Sequence, residues 1–286
     1  MMKTMAGMAI ECVCPVCKGP LSDTKSCPHC QTTYEEQNGI LFFVLKDLRE
    51  RAQKEVLNDK ENAFKNYFKR WPNFYQWCIR IVAPVLFTGL TAKQFASRFK
   101  GEEKILNVGS GPTIIHPRSV NVDMLPFPSV HAVCEAEALP FASNSFDVTL
   151  SEEVMEHVRD PKEMAAEMKR VTKQDGLIYV SLPFMFPYHP SPKDYWRLST
   201  EGLQALFADC EEIECGIHSG PVSGMLVVMA AGLATIFSLG YRPLQQILNY
   251  PFMIVLSPFK LLDLYYARTS AANITASGVY IVVKKK

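Results

Sequence analysis

Residues 104–112, with the sequence KILNVGSGP, decide the fold. The apolar run 104–108 is typical of a short buried strand, and Gly109 and Gly111 follow it at once. Glycines at the carboxyl end of a strand allow a tight turn and let a ligand approach the backbone closely. Because such a loop is frequent on its own, the segments that follow it have to carry the argument.

A second short apolar run, 119–123 (SVNVD), ends in Asp123. A carboxylate at the tip of a second strand can accept hydrogen bonds from both hydroxyls of a ribose. Only 13 residues separate Gly109 from Asp123, too few for a full helix plus a strand. We therefore expect the first crossover helix to be short or absent. This disfavours the binding of a nicotinamide dinucleotide at a helix N-terminus.

The rest of the chain alternates between strand and helix patterns. Strands are predicted at 145–151, 177–182, 212–218 and 278–283, and helices at 91–100, 161–173 and 200–208. Pro161 stands at a first helical position, where proline is favoured. This alternation predicts an α/β fold built on a parallel sheet.

Four motifs in this order resemble class I S-adenosylmethionine-dependent methyltransferases over residues 104–209: LNVGSG (106–111), NVD (121–123), LPFASNSFD (139–147) and EHVRDP (156–161). The resemblance implies a Rossmann-like fold with a seven-stranded, mostly parallel sheet. It also implies that the cofactor is S-adenosylmethionine.

The same resemblance assigns cofactor-binding residues. Gly109, Ser110 and Gly111 would line the methionine part, Asp123 would bind the ribose and Met124 would lie against the adenine. Glu135 stands where the family usually has the aspartate that meets the adenine amino group, and Asn107 replaces an acid that many members carry. The remaining expected contacts are Ala136 and Glu137 beside Glu135, Leu139 on the ring, and Ser151 and Glu152 facing the methyl-bearing centre.

Cysteines cluster at the front of the chain. The motifs CPVC (14–17) and CPHC (27–30) are two knuckles of the kind that bind zinc through Cys14, Cys17, Cys27 and Cys30. We expect a closed, structural Zn²⁺ site with His29 outside it, and reactive or redox thiols are the alternative. Residues 10–46 resemble the zinc-ribbon domain of the small activator subunit of tRNA and protein methyltransferases.

These features divide the chain into a zinc ribbon (1–46), a helical connector (47–100) and a methyltransferase domain (101–286). Aromatic residues crowd the connector between positions 64 and 77, at spacings typical of helices that pack on a larger domain. A base-stacking surface is the alternative, and it is disfavoured because no excess of basic residues accompanies these aromatics.

Candidate catalytic groups lie in the proline-rich loop 183–197, after the predicted fifth strand. His189 is the preferred general base, with Asp194 to orient it or to bind acceptor hydroxyls, and Tyr188 is a third candidate. A loop histidine bonded only to backbone or water is the alternative. His157 is interpreted as a brace for the following helix, and His218 has no supporting motif.

An apolar insertion of about 219–268 precedes the last strand. Residues 222–239 are almost wholly apolar and about long enough for a membrane span. Both ends of the insertion must return to the sheet, so we expect a helical hairpin that dips into the cytosolic leaflet or lies on it. A lid over the soluble domain or a dimer interface is the alternative. The predicted location is cytoplasmic, at the inner face of a membrane.

Charge and composition limit the function classes. The 286 residues carry 30 basic and 29 acidic side chains, and this balance disfavours nucleic acid as a partner. The predicted activity is O-methylation of a glycan, a lipid-linked acceptor or a small molecule. One alternative is methylation of RNA or protein with the ribbon as a docking module. The other is a non-catalytic, cofactor-binding scaffold.

Overall fold

The computed structural model describes residues 1–22, 25–44, 82–190 and 193–286. The aromatic residues of 64–77 lie outside the described residues, so their packing stays a prediction. The strands are β1 (Met2–Met5), β2 (Met8–Glu11), β3 (Glu35–Gln37), β4 (Ile40–Phe42), β5 (Ile105–Val108), β6 (Ser119–Asp123), β7 (Ala132–Val133), β8 (Phe146–Glu152), β9 (Thr172–Pro183), β10 (Glu211–Ser219) and β11 (Gly278–Lys284).

The central sheet contains the six strands predicted by position together with β7, in the order β10-β11-β9-β8-β5-β6-β7. Seven is the number of strands that the resemblance implies. Strands β5 to β9 run parallel to one another, and β11 runs antiparallel to both β9 and β10. This topology confirms the predicted Rossmann-like α/β fold. The parallel strands bring their carboxyl ends to one edge, where ligands bind in folds of this class.

The sheet continues beyond β7 with β4 and β3, so the described residues form nine strands in it, whereas seven were predicted. Strand β4 pairs in parallel with β7, with Leu41 opposite Ala132 and Phe42 opposite Val133. The two-residue β7 would otherwise leave an unpaired edge, and the N-terminal segment covers it. A turn at Asn38 and Gly39, both with positive φ, positions β4 for this pairing.

The N-terminal region packs as part of the same body. Cys12 pairs with Phe141 in an isolated antiparallel β-bridge, and the backbone N–H of Val13 donates to Pro140 O at 3.0 Å. Lys18 Nζ lies 2.8 Å from Glu167 Oε2. Residues of both regions belong to one hydrophobic core. The predicted boundary near residue 46 stays a prediction, because residues 45–81 are outside the described ranges.

Three helices belong to the α/β unit: α1 (Ala92–Ala96), α2 (Pro161–Val171) and α3 (Thr200–Leu206). Side chains of Thr91, Asp160 and Ser199 cap their N-termini. All three predicted helices are present, and each ends earlier than predicted. No helix lies in the fully described stretch between Gly109 and Ser119, as the short spacing predicts.

The apolar insertion forms two packed helices, α4 (Pro221–Phe237) and α5 (Arg242–Leu256). A 3-10 helix (Ser257–Leu262) and the short α6 (Asp263–Tyr266) follow. The Asp263 carboxylate caps the start of α4 by accepting from the backbone N–H groups of Val222 and Ser223, each at 2.8 Å. This bond ties the end of the insertion to its beginning.

The candidate membrane span differs from the predicted one. Among the described residues, the 25-residue helical segment Arg242–Tyr266 is the one that could cross a membrane by length and composition, and 17% of its most apolar window is buried. The predicted run 222–239 instead forms the shorter helix α4. Because α5 has no buried residue, its apolar sequence is not that of a helix buried in the protein core.

Candidate active site

The candidate site lies at the edge where β5, β6 and β8 end. The glycine loop follows β5, Asp123 ends β6 and Glu152 ends β8. The parallel register places Val108 beside Val122 on one side and beside Ser151 on the other. Three loops from separate parts of the chain therefore meet at one cleft.

Both glycines of the loop have a positive φ, but only Gly109 lacks space for a side chain. Gly109 has a φ of 72°, and a Cβ there would lie 2.2 Å from Val154 Cγ2. Gly111 has a φ of 54°, and no atom lies within 4 Å of the position its Cβ would take. The backbone N–H groups of Gly109 and Ser110 both donate to Val122 O, at 2.8 and 3.0 Å. The loop is thus fixed to β6 while its surface at Gly111 stays open for a ligand.

Asp123 is held toward this open surface. Its Oδ2 accepts from the Gly111 N–H at 2.8 Å, and its Oδ1 accepts from the Leu125 N–H at 2.9 Å. Burial raises the pKa of Asp123, and the backbone N–H groups around it act in the opposite direction. Each oxygen has a lone pair left, so the carboxylate fits the ribose-binding role predicted for it.

The other predicted cofactor residues divide into two groups. Ser110 belongs to the glycine loop. Met124, Glu135 and Ala136 are half-buried. Burial and the nearby charge of Glu137 raise the pKa of Glu135. A raised pKa leaves Glu135 better able to carry a proton than the aspartate usual at this position.

The second group is engaged within the protein. Asn107 Nδ2 donates to Asn121 Oδ1 at 3.4 Å, and Ser151 Oγ donates to Val108 O at 3.1 Å. Glu137 Oε1 accepts from the Arg159 N–H at 2.8 Å, just before α2. Leu139 is fully buried, because the N-terminal region covers the segment that contains it. Direct adenine contact from Leu139 would need surface that this side chain does not expose.

The end of β8 carries charged groups that face a buried histidine. Glu152 Oε1 accepts from the Ala92 N–H at 3.0 Å and lies 3.5 Å from His218 Nε2. His218 Nδ1 lies 3.8 Å from Glu153 Oε1. Sequence reasoning set His218 aside, although its position at the end of the predicted sixth strand was a usable signal.

Glu153 is the most unusual residue of the cleft. It is a non-glycine residue with a φ of 57°, a conformation that costs energy and is concentrated at functional sites. Its side chain is 41% exposed. Burial of the surrounding site raises its pKa well above the usual value, as do the charges of Glu156 and Glu152, while Arg197 opposes the shift. No motif in the sequence marks Glu153 as a functional residue.

The loop after β9 joins two of the predicted catalytic residues. The His189 N–H donates to Asp194 Oδ2 at 2.8 Å, and Arg197 Nη2 donates to the same oxygen at 2.6 Å. Burial would raise the pKa of Asp194, but these bonds lower it below its ordinary value. Tyr188 is 67% exposed and faces solvent.

His189 also joins a group that the sequence did not reveal. Its Nε2 lies 3.6 Å from Oε1 of the buried Glu156, and His157 Nε2 lies at the same distance from that oxygen. The predicted general base therefore directs this nitrogen at a carboxylate. The sequence predicts for His157 only a role as a brace for the next helix.

The four predicted zinc ligands come together. Their Sγ atoms lie within 4.8 Å of one another, with 3.5 Å between Cys14 and Cys30 and 3.4 Å between Cys17 and Cys27. Cys12 is buried apart from this group, and burial raises its pKa to about 11. Four converging sulfur atoms fit a closed zinc site in both number and chemistry.

Known proteins support this interpretation of the fold. Residues 88–180 match the family described as "Methyltransferase domain". The phosphoethanolamine N-methyltransferase 2 of Haemonchus contortus, solved with S-adenosyl-L-methionine, superposes with a TM-score of 0.51 at 13% identity over 85% of this chain and 61% of that one. The fold is that of a class I methyltransferase. The family match over residues 88–180 supports a methyltransferase domain.

Sequence relatives cover less of the chain. An uncharacterised methyltransferase of Mycobacterium tuberculosis is 44% identical over 54 residues, which are 19% of this chain and 21% of the relative. Another, from Mycobacterium leprae, is 31% identical over 97 residues, 34% of this chain and 36% of the relative. The chain thus spans about a fifth to a third of the length of these relatives.

Proposed function

We propose that the protein is an S-adenosylmethionine-dependent methyltransferase that acts on oxygen of a glycan, lipid-linked or small polar acceptor. The observation that carries this proposal is the set formed by Gly109, Gly111 and Asp123. It combines an open glycine surface with a carboxylate that two backbone N–H groups orient. These residues would hold the ribose and the methionine part of the cofactor.

When bound, S-adenosylmethionine supplies a methyl group that its sulfonium has already activated. The protein then has two tasks: to align an acceptor oxygen with that methyl group and to take the proton that the oxygen loses. The new bond joins the acceptor oxygen to the methyl carbon as the carbon–sulfur bond breaks. Both tasks fall to the loops after β8 and β9.

Glu153 is the group best suited to take the proton. It combines an exposed side chain with a raised pKa, which brings a carboxylate closer to the range where it works as a general base. His189 stays the sequence-based candidate, and its contact with Glu156 favours a supporting role. Asp194 and Arg197 would fix the loop on which an acceptor rests.

A membrane-associated acceptor is favoured by the insertion. Large apolar side chains are exposed along α4, α5 and the helices after them, including Leu239 at 94% and Ile236 at 68%. Exposed apolar patches of this kind mark interaction surfaces. Between Cys215 and Lys286 the sequence has a single acid, Asp263, and its carboxylate is buried against α4. Arg242 and Arg268 are exposed near these apolar residues.

This combination suits the surface of an anionic lipid bilayer, with apolar side chains in the acyl boundary and arginines at the headgroups. A surface that binds a protein partner would more often include some acidic residues. We propose that the insertion binds the cytoplasmic membrane surface and brings the cleft to lipid-linked acceptors.

The N-terminal region has a structural role in this proposal. Four thiolates would hold one Zn²⁺, and the region covers the edge strand β7 and the segment around Leu139. Because the segment packs on the protein's own sheet, its described contacts favour stabilisation over docking of RNA. A closed four-sulfur site has no open position for catalysis.

The test is methyl transfer from isotope-labelled S-adenosylmethionine into separated lipid, soluble-glycan, protein and RNA fractions of a cell extract. We expect label in the lipid or glycan fraction, and none with Asp123→Ala. Label in RNA or protein would favour the docking alternative. Binding of the cofactor without label in any fraction would favour the scaffold alternative.

A further inference from the structure

Glu156 is a buried carboxylate that the proposed methyl transfer does not use. It belongs to a 3-10 turn, Met155–His157, and has no exposed surface. Among the described residues, neither of its carboxylate oxygens has a hydrogen-bond partner. Such a group is rare because a buried charge needs a partner, and it points to an ion that neutralises it.

Two imidazoles face this carboxylate. The Nε2 atoms of His157 and His189 each lie 3.6 Å from Glu156 Oε1, and the three ligand atoms lie within 4.8 Å of one another. Two metal–ligand bonds of about 2.1 Å at a tetrahedral angle would place their ligand atoms about 3.4 Å apart. The observed spacing is therefore close to that of a coordination shell.

The other ring nitrogens have acceptors nearby. His157 Nδ1 contacts Lys193 O, and His189 Nδ1 lies 3.3 Å from Pro187 O and 3.4 Å from Asp194 Oδ2. The donor Arg197 Nη2, at 3.2 Å from His189 Nδ1, also bonds to Asp194. At His157 the carbonyl acceptor favours a proton on Nδ1, which leaves the Nε2 lone pair directed at Glu156. At His189 both acceptors and the Arg197 donor lie near Nδ1. Metal-binding histidines are oriented in this way by backbone carbonyls and carboxylates.

We propose that Glu156, His157 and His189 bind a divalent transition-metal ion such as Zn²⁺. Two imidazoles and one carboxylate are a ligand set that zinc uses when a fourth position stays open. The site is chemically distinct from the four cysteines, whose sulfur atoms complete a tetrahedron by themselves.

The open coordination position would give the ion a role in methyl transfer, and this role rests on the proposed function. Glu153 lies three residues before Glu156, on the same loop. An acceptor oxygen that reaches Glu153 would meet the ion as well, and a metal-bound hydroxyl loses its proton more readily. The ion would therefore select acceptors with a free hydroxyl or a phosphate oxygen.

The test is the zinc content of the full-length protein after equilibrium dialysis against micromolar Zn²⁺, measured by mass spectrometry without cofactor or acceptor. We expect the wild type to retain one ion per chain more than Glu156→Gln and more than the double variant His157→Ala/His189→Ala. His116→Ala is the matched control, since its ring contacts Phe99 O and the Arg118 N–H. It should retain as much zinc as the wild type.

Equal zinc content in the wild type and the Glu156→Gln variant would overturn the proposal. Thermal melting and binding of S-adenosylmethionine would show whether each variant is folded. If the variants do not fold, the absorption spectrum of Co²⁺ added to wild-type protein tests the site instead. Absorption typical of nitrogen and oxygen ligands, beyond the thiolate signal, supports the site, and a thiolate signal alone contradicts it. The zinc count does not depend on methyl transfer, so the two proposals fail separately.

Discussion

The cleft has a cofactor side, at the ends of β5 and β6, and an acceptor side, in the loops after β8 and β9. The carboxylates on these two sides have opposite environments. On the cofactor side, Asp123 accepts hydrogen bonds from the backbone N–H groups of Gly111 and Leu125. On the acceptor side, Glu156 has no hydrogen-bond partner among the described residues and faces two imidazoles. Asp123 is thus prepared for neutral hydroxyls, whereas Glu156 needs a cation to be stable.

Because of this difference, the carboxyl ends of one sheet can bind two different ligands. A carboxylate fixed by the backbone keeps one geometry whether or not a ligand is bound. A carboxylate that depends on an ion changes its surroundings with the ion. We therefore expect mutations on the cofactor side to change affinity for S-adenosylmethionine, and mutations on the acceptor side to change turnover.

The largest effect is expected at the zinc ribbon, which supports the cofactor side through β7. Cys27→Ser/Cys30→Ser should remove the metal and lower the free energy of unfolding by about 5 kcal/mol or more. Urea unfolding followed by circular dichroism measures this loss. Cys215→Ser is the control, because it changes a half-buried cysteine outside the cluster. Equal stability of the two variants would show that the four thiols bind no structural metal.

The next effect tests the acceptor side. Glu153→Gln should lower kcat about 10²- to 10⁴-fold, as expected for removal of a general base, with little change in the affinity for S-adenosylmethionine. The wild-type rate should fall as pH decreases through the raised pKa of Glu153, since the base must be deprotonated. This acid limb should lie above the ordinary range of glutamate and disappear in the variant. An unchanged kcat would exclude Glu153 as the base.

A pair of glycine variants sharpens the cofactor side. Gly109→Ala should lower stability by about 2–3 kcal/mol and weaken cofactor binding, because its Cβ would collide with Val154 and its φ is positive. Gly111→Ala has open space for a Cβ and should cost only about 1 kcal/mol for its φ. Thermal melts and cofactor titrations of the two proteins measure the difference. A larger stability loss in Gly111→Ala would contradict the geometry of the loop.

The smallest effect concerns the membrane surface. Ile236→Glu/Leu239→Glu should weaken binding to anionic phospholipid vesicles about 10- to 100-fold, because two exposed apolar side chains leave the lipid. Co-sedimentation with vesicles measures this change, and soluble stability should be unaffected. Ile114→Glu, at another exposed apolar position, is the control. Wild-type protein that stays in the supernatant at all lipid concentrations would exclude the membrane proposal.

Local sequence order predicted the positions of the glycine loop and of Asp123 at the ends of their strands. The glycine loop, Asp123 and the missing first helix all follow from spacing within about twenty residues, where backbone geometry is decided by neighbours. The two CxxC knuckles likewise predicted that four thiols would converge.

Contacts between distant segments could not be predicted in this way. The pairing of β4 with β7 joins residues about ninety positions apart. The contact of Val13 with Pro140, which covers the segment of Leu139, joins residues still farther apart. The groups around Glu156 and His218 depend on loops that only the sheet brings together. A histidine without a motif gives no local signal of the carboxylate that it will face.

The most direct test of the central claim is calorimetric titration with S-adenosylmethionine. The account predicts one site per chain for the wild type and at least about 100-fold weaker binding for Asp123→Ala, because a carboxylate loses its hydrogen bonds to two ribose hydroxyls. Asp175→Ala, which removes an acid with an 85% exposed side chain, should bind like the wild type. Absence of binding by the wild type, or equal affinity in Asp123→Ala, would contradict the account.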